Sequence, residues 1–392
     1  MTRISIRLAG TAALVACGLL LSACGNEVSG PAVPLPERQE TQSSGMIALL
    51  LPYGDESRKD LMALAESLEN SARLAVRDSP TGTIDLRIYS TSGTAEGAAS
   101  AAQTALADGA SVILGPVFRD AATSAAAVAA AQRVPVLSFS NDSSIVGNNL
   151  FILGHTFENS ADRIVQFAAA NGRRDMLSIY ARNEQGMKGN SAIEASIGDY
   201  DAELAGSLSY EFSQIGVVDS VPQVKELVET TDADIIVFTA DTAGALSLLG
   251  TLLPEAGIDI EQVQFAGLTR WDIPESNLRN KGLQGGWFPL PDPNLSTSFS
   301  YRYRYEFDQV PHPLAGLAYD GIIAARSMLS SNSAHANVAA LRAPGGFIGA
   351  TGPYRFLADG HIERALAVAE IRNFRAEIIS PAPRQFAGES PS

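Results

Sequence analysis

Few residues in this 392-residue chain have the type and spacing that reactive chemistry needs. The four histidines, His155, His312, His335 and His361, are scattered without metal-ligand spacing, so no metal site is expected. There is no G-x-S-x-G elbow, no H-E-x-x-H pair and no phosphate-binding P-loop. Gly345-Gly346-Phe347-Ile348-Gly349 superficially suggests a phosphate loop, but it does not lie between a strand and a helix. That segment reads better as a hinge. The Asp and Glu residues are dispersed and single out no acid–base pair. No catalytic residue and no cofactor are expected.

The one side chain whose context specifies its own chemistry is Cys24. Arg3 and Arg7 precede an apolar run from Leu8 to Ala23, shorter than a membrane span, with the basic flank and small-residue end of a secretory leader. Leu21-Ser22-Ala23-Cys24 resembles the bacterial lipobox, in which the cysteine becomes the lipidated first residue. Gly25 follows rather than Asp, which favours the outer membrane over the inner. Residues 24–45, with Pro31, Pro34 and Pro36, read as a tether. Cys17 and Cys24 are the only cysteines, so no disulfide is expected in the body. The formal charge of −15 disfavours nucleic acid, and the membrane is expected as a partner only through the lipid.

Candidate binding residues must be placed by the elements that carry them. Val112–Leu114 and Val134–Ser138 are apolar runs without alternation, as in strands buried on both faces, and Ala121–Ala131 between them is a strong helix former. This strand–helix–strand unit belongs to a parallel sheet, where ligand clefts open at the carboxyl edge. Met46–Leu51, Ile84–Tyr89 and helices at Arg58–Arg77 and Ala95–Ala107 complete a first doubly wound half. The rhythm repeats from Leu150 to Ala266. The loops at strand ends then supply candidate cleft residues: Tyr53, Val117, Phe118, Arg119, Ser138, Ser140, Asn141, Asn183, Glu184, Asp241, Arg270 and Trp271. Trp287, in the stiff Gly285–Pro291 segment, could cap a ligand or pack at a hinge. Tyr301-Arg302-Tyr303-Arg304-Tyr305 falls on a helix, where residues two apart do not share a face, so it reads as an ordinary amphipathic segment. Tyr319-Asp320 lies within a helix and reads as structural. Tyr354–Leu357, Ala365–Asn373 and Arg375–Ile379 read as closing antiparallel strands, with a turn at Ala358-Asp359-Gly360.

The order of Gly109–Pro116, Val134–Ser138, Ala181–Gly186, Asp232–Val237, Tyr319-Asp320 and Gly352–Gly360 resembles type I periplasmic binding proteins, which include the branched-chain amino-acid receptors. More narrowly, Gly115–Asp120 and Val136–Asn141 are similar to the penicillin-binding protein activators, lipoproteins that stimulate peptidoglycan synthases from the outer membrane. The resemblance implies an α/β fold of two doubly wound parallel-sheet lobes joined by three crossing segments. It places lobe one at 46–148 plus 291–345 and lobe two at 149–288 plus 347–380, after a leader (1–23) and the tether and before a loose tail (381–392). The sequence departs from the amino-acid receptors in two loops. Val117, Phe118 and Arg119 stand where those receptors place small hydroxyl residues, and Glu184-Gln185-Gly186 lacks their aromatic neighbour. The function expected is to bind and stimulate a bifunctional penicillin-binding protein by surface contact. The alternative is a solute-binding lipoprotein of an ABC importer for amino acids or related molecules.

Overall fold

The computed structural model describes residues 44–79, 84–240, 244–329 and 336–386, all within the unit Thr41–Ser392. The leader, Cys24, Asp241, His335 and the end of the tail lie outside the described residues. In the first half, β1 (Ser44–Leu51), α1 (Lys59–Arg77), β2 (Ile84–Ser90), α2 (Ala95–Ala107), β3 (Ala110–Leu114), α3 (Arg119–Ala130), β4 (Val136–Ser138) and β5 (Leu150–Ile152) follow one another. Their strands form a parallel sheet in the order β2-β1-β3-β4-β5.

Both faces of this sheet are buried, which is why its strands are apolar without alternation. In β1, Ile47, Leu49 and Leu51 face one core while Met46, Ala48 and Leu50 face the other. The second of these cores is lined by Ala98, Ala102 and Ala105 of α2 and Ala122, Ala125 and Ala129 of α3. Side chains of one carbon let two helices lie close together on the sheet.

The second half comprises α4 (Phe157–Ala170), β6 (Asp175–Ala181), α5 (Glu184–Ile197), β7 (Glu203–Tyr210), α6 (Gln214–Thr231), β8 (Ile235–Phe238), α7 (Ala245–Glu255), β9 (Gln264–Gly267) and β10 (Trp287–Leu290). Side-chain oxygens fix several helix starts. Thr156 accepts from the amide of Asn159, Asn183 from Gly186 and Ser213 from Gly216. The chain then returns through α8 (Pro293–Phe307) and α9 (Ala315–Met328), whose Phe299, Tyr303 and Ile322 belong to the first core. On α8, Tyr303 is fully buried while Tyr301 and Tyr305 point outward, so the tyrosine–arginine alternation is that of an amphipathic helix.

The close of the chain is β11 (Phe347–Ile348), β12 (Pro353–Phe356), β13 (Ile362–Arg364), β14 (Ala367–Arg372) and β15 (Arg375–Ser380). The second large sheet runs β15-β14-β10-β9-β8-β6-β7, parallel from β7 to β10 and antiparallel beyond. The chain therefore passes between the two sheets after β5, after β10 and after β13.

Three segments depart from the sequence expectation. Leu150–Ile152, assigned to the start of the second lobe, pairs with Val136–Ser138 in the first sheet. An isolated run of three apolar residues fits either sheet equally, and only the pairing decides. Tyr354–Phe356 does not join the second sheet. With β11 and β13 it forms a separate antiparallel sheet whose Tyr354, Phe356 and Ile362 pack into the first core. The Gly285–Pro291 segment is not only a crossing, because Trp287–Leu290 pairs antiparallel with Ala367–Glu370. Gly345–Gly349 leads into β11. At Gly346 (φ 61°) an added Cβ would lie 2.5 Å from the carbonyl oxygen of Tyr354, so this is a tight backbone approach and not a phosphate cradle.

Candidate functional site

The carboxyl ends of β3, β4 and β6 bring loops from the two sheets against each other. Four charged side chains meet there. Arg119 opens α3, and Asp142 lies in the loop after β4, both on the first sheet. Glu184 and Lys188 occupy the first turns of α5, on the second. Asn183 caps that helix with a 2.8 Å bond from the Gly186 amide, which places Glu184 where the helix dipole favours an anion. Arg119 Nη1 donates to Glu184 Oε1 at 2.6 Å, and its Nε lies 3.2 Å from Asp142 Oδ2. Lys188 Nζ lies 2.9 Å from both Asp142 Oδ2 and Glu184 Oε1. Each cation thus touches each carboxylate in a closed ring of alternating charge.

The ring tunes its members. Burial works against the charged form of Asp142, but bonds from Ser144 and Lys188 outweigh it and hold the carboxyl below its ordinary value. Lys188, then Arg119, hold Glu184 below its own. Burial works against the Lys188 ammonium, yet Asp142 and Glu184 raise its pKa. All four groups are therefore charged at neutral pH.

Of the candidate cleft residues, Arg119 and Glu184 come together directly, and Asn183 positions the second of them. Neighbouring candidates serve the loops themselves. Ser138 is fully buried, donates to the Pro116 carbonyl at 2.7 Å and accepts from the Ser140 amide at 3.0 Å. Ser140 is also buried, and its hydroxyl accepts from the amide of Asp142. Both hydroxyls brace the loop that carries Asp142 and are not presented to a ligand, which corrects the expectation for them. Val117 packs against the first core, Phe118 is 37% exposed and Asn141 faces solvent. Tyr53 is tied elsewhere, donating to Glu69 on α1 at 2.9 Å. Burial and that carboxylate push its phenol well above the usual range.

The two tryptophans are likewise corrected. Trp271 is fully buried, with ring centroids 6.2 Å from both Phe238 and Phe288. Gly267 and Gly286 make room for it, since a Cβ on either would lie within 2.3 Å of its ring. Trp287 sits edge-on to Phe167 at 4.9 Å in the other core of the second sheet. Aromatic type alone does not distinguish a ligand cap from a core residue. Arg270 is half-exposed and forks onto Asp272, two residues away.

Asp142 and Lys188 were missed as site residues. The signal for Lys188 was its place four residues after Glu184 on a helix, where such pairs meet. Asp142 carried no comparable local signal.

A second constellation organises the crossings. Asp320 of α9 is fully buried and accepts from the Ala350 amide at 2.7 Å, from the Thr351 hydroxyl and from Arg364 Nη1 at 3.0 Å. Arg364, on β13, also donates through Nε to the Leu153 carbonyl at 3.1 Å and through Nη1 to Thr351 at 2.6 Å. Gly349 is required here, because a Cβ would lie 2.0 Å from Asp320 Oδ1. The pair joins α9 to the first and third crossings, in keeping with the structural reading of Tyr319-Asp320.

A cavity of about 800 Å³ lies away from these loops, along α4, α5 and residues 383–386. None of the candidate cleft residues lines it. Among the described residues, no group of three or more His, Cys, Asp and Glu could hold a metal ion, and no helix is long and apolar enough to cross a membrane.

The same architecture is found in solved structures of low sequence identity. A branched-chain amino acid ABC transporter periplasmic ligand-binding protein from Burkholderia xenovorans is 14% identical, with a TM-score of 0.68 over 88% of this chain and 96% of its own. An ABC transporter substrate-binding protein from Desulfitobacterium hafniense, in complex with Leu, is 18% identical with a TM-score of 0.64 over 85% and 99%. The branched-chain amino acid transporter substrate-binding protein of Streptococcus pneumoniae, in complex with isoleucine, is 17% identical with a TM-score of 0.58 over 86% and 100%. No curated protein matches the sequence. The periplasmic binding protein family matches residues 61–376, most of the described chain, and to that family this protein belongs.

Proposed function

We propose that this chain is a solute-binding protein of the cell envelope, tethered through lipid on Cys24, that takes a small polar solute between its two sheets for an ABC importer. The observation that carries the reading is the convergence of loops from both sheets on one mouth, where Arg119 and Asp142 face Glu184 and Lys188. A solute with charged or strongly polar groups has partners of both signs there. The ligands named for the similar structures, leucine and isoleucine, give the first compounds to try. A ligand that binds only the folded chain stabilises it by ~2.7 kcal/mol at a hundredfold excess over Kd. A dose-dependent rise in melting temperature with free amino acids or aromatic carboxylates is therefore expected. If no compound of a broad solute panel raises it at millimolar concentration, the reading fails. Cys24→Ala should release the chain from membranes, and its retention there would show another anchor.

The second reading is stimulation of a peptidoglycan synthase by surface contact, sited at the outer membrane. What favours it is the filling of the receptor-type loop. Val117 packs against the core, and the Ser138 and Ser140 hydroxyls are bonded internally. Adding the chain to a bifunctional penicillin-binding protein should then raise glycan cross-linking to a saturating level. Unchanged synthase rates at low salt would exclude it.

A further inference from the structure

The ring at the mouth has a property beyond its charge. Two of its four contacts, Arg119–Glu184 and Lys188–Asp142, run between the sheets. The other two, Arg119–Asp142 and Lys188–Glu184, lie within one side each. If the mouth opens, the first two contacts break and the second two remain. Each side then keeps one cation on one carboxylate and carries no unpaired charge. Opening thus forfeits attraction without the penalty of stranding an ion.

We infer that these four residues form a ligand-independent latch, which closes the mouth with the chain's own side chains and releases without leaving an uncompensated charge. The inference does not depend on which solute or partner the protein serves. It concerns the resting state of the mouth, to which any ligand must adapt. Because Arg119 and Glu184 are about half exposed, with side chains 47% and 60% accessible, the latch is open to screening by salt.

The ring topology makes an unusual demand on charge-reversal variants. Arg119→Glu places a third carboxylate against Asp142 and Glu184 and should open the mouth. Adding Glu184→Arg restores both contacts across the mouth while making both contacts within each side repulsive. The double variant should therefore be closed at least as firmly as the wild type. Neither change threatens folding, since both positions are exposed and a glutamate at the start of α3 suits the helix dipole.

Spin labels at Glu96→Cys on α2 and Asp219→Cys on α6, both exposed, would report the separation of the two sides by pulsed electron resonance. The full-length chain would carry Cys17→Ser and Cys24→Ser, so that only the labelled thiols remain. Without any solute, the wild-type distance should lengthen as ionic strength rises from ~0.01 M, where screening acts over ~30 Å, to ~1 M, where it acts over ~3 Å. Arg119→Glu should show the longer distance already at low salt, and Arg119→Glu/Glu184→Arg the shorter one. A single variant indistinguishable from wild type at low salt, or a double variant as open as the single, overturns the latch. So does a wild-type distance that ignores salt.

Discussion

The buried pair Asp320–Arg364 offers the sharpest energetic test of how the crossings are held. Asp320 is fully buried, and the two side chains are 0% and 1% accessible. Asp320→Ala removes the carboxylate that accepts from Ala350, Thr351 and Arg364. Arg364 would keep its bonds to Leu153 and Thr351, but its charge would have no counter-ion. Removing one partner of a buried pair costs ~3–5 kcal/mol, mostly because the other charge is left uncompensated. At ~2 °C per kcal/mol for a chain of this size, the melting temperature should fall by ~6–10 °C. Denaturant unfolding can be followed by fluorescence of the buried Trp271. The double variant Asp320→Ala/Arg364→Met separates charge from packing. With no ion left to strand, it should be no less stable than Asp320→Ala alone, so the two changes must be strongly non-additive. A loss below about 1 kcal/mol for Asp320→Ala, or simple addition in the double variant, would refute the anchoring role.

Two further outcomes test placements made by the structure. Trp271→Ala should cost ~3–5 kcal/mol, as for a large buried aromatic, and leave the label distance at the mouth unchanged. A lengthened distance with little loss of stability would put this ring at the mouth after all. Burial, then Arg364 and Arg270, hold the imidazole of His155 well below its ordinary pKa of 6.5. As pH falls through ~6.5 the unfolded chain takes up a proton that the folded chain refuses, so stability should drop towards pH 5 by up to ~1.4 kcal/mol per unit. His155→Gln should flatten that drop in melting scans. A residual slope is expected from His312, whose pKa burial also lowers and whose Nδ1 accepts from the Leu314 amide at 3.1 Å. An unchanged slope in His155→Gln would exclude the account.

What the sequence by itself determined is the set of features that depend on neighbours along the chain. Apolar runs such as Val112–Leu114 marked doubly buried strands because both faces of a parallel sheet exclude water. Helices such as Ala95–Ala107 and the stripe of Lys59–Arg77 were legible because their propensity and period are local. The spacing of Tyr301, Tyr303 and Tyr305 showed which ring would turn inward. Tertiary structure alone decided what depends on distant partners. Leu150–Ile152 had no local reason to prefer one sheet, and Tyr354–Phe356 no local reason to leave the second for the first core. Trp271 and Ser138 have types that suit a ligand site, but their surroundings turn them into packing and loop bracing. Asp142 and Lys188 lie 46 positions apart, and no spacing rule brings them to 2.9 Å. They meet because two sheets present their carboxyl-end loops to one another. Opposite charges gathered at such a mouth by the path of the backbone attract at a range that sequence separation does not measure.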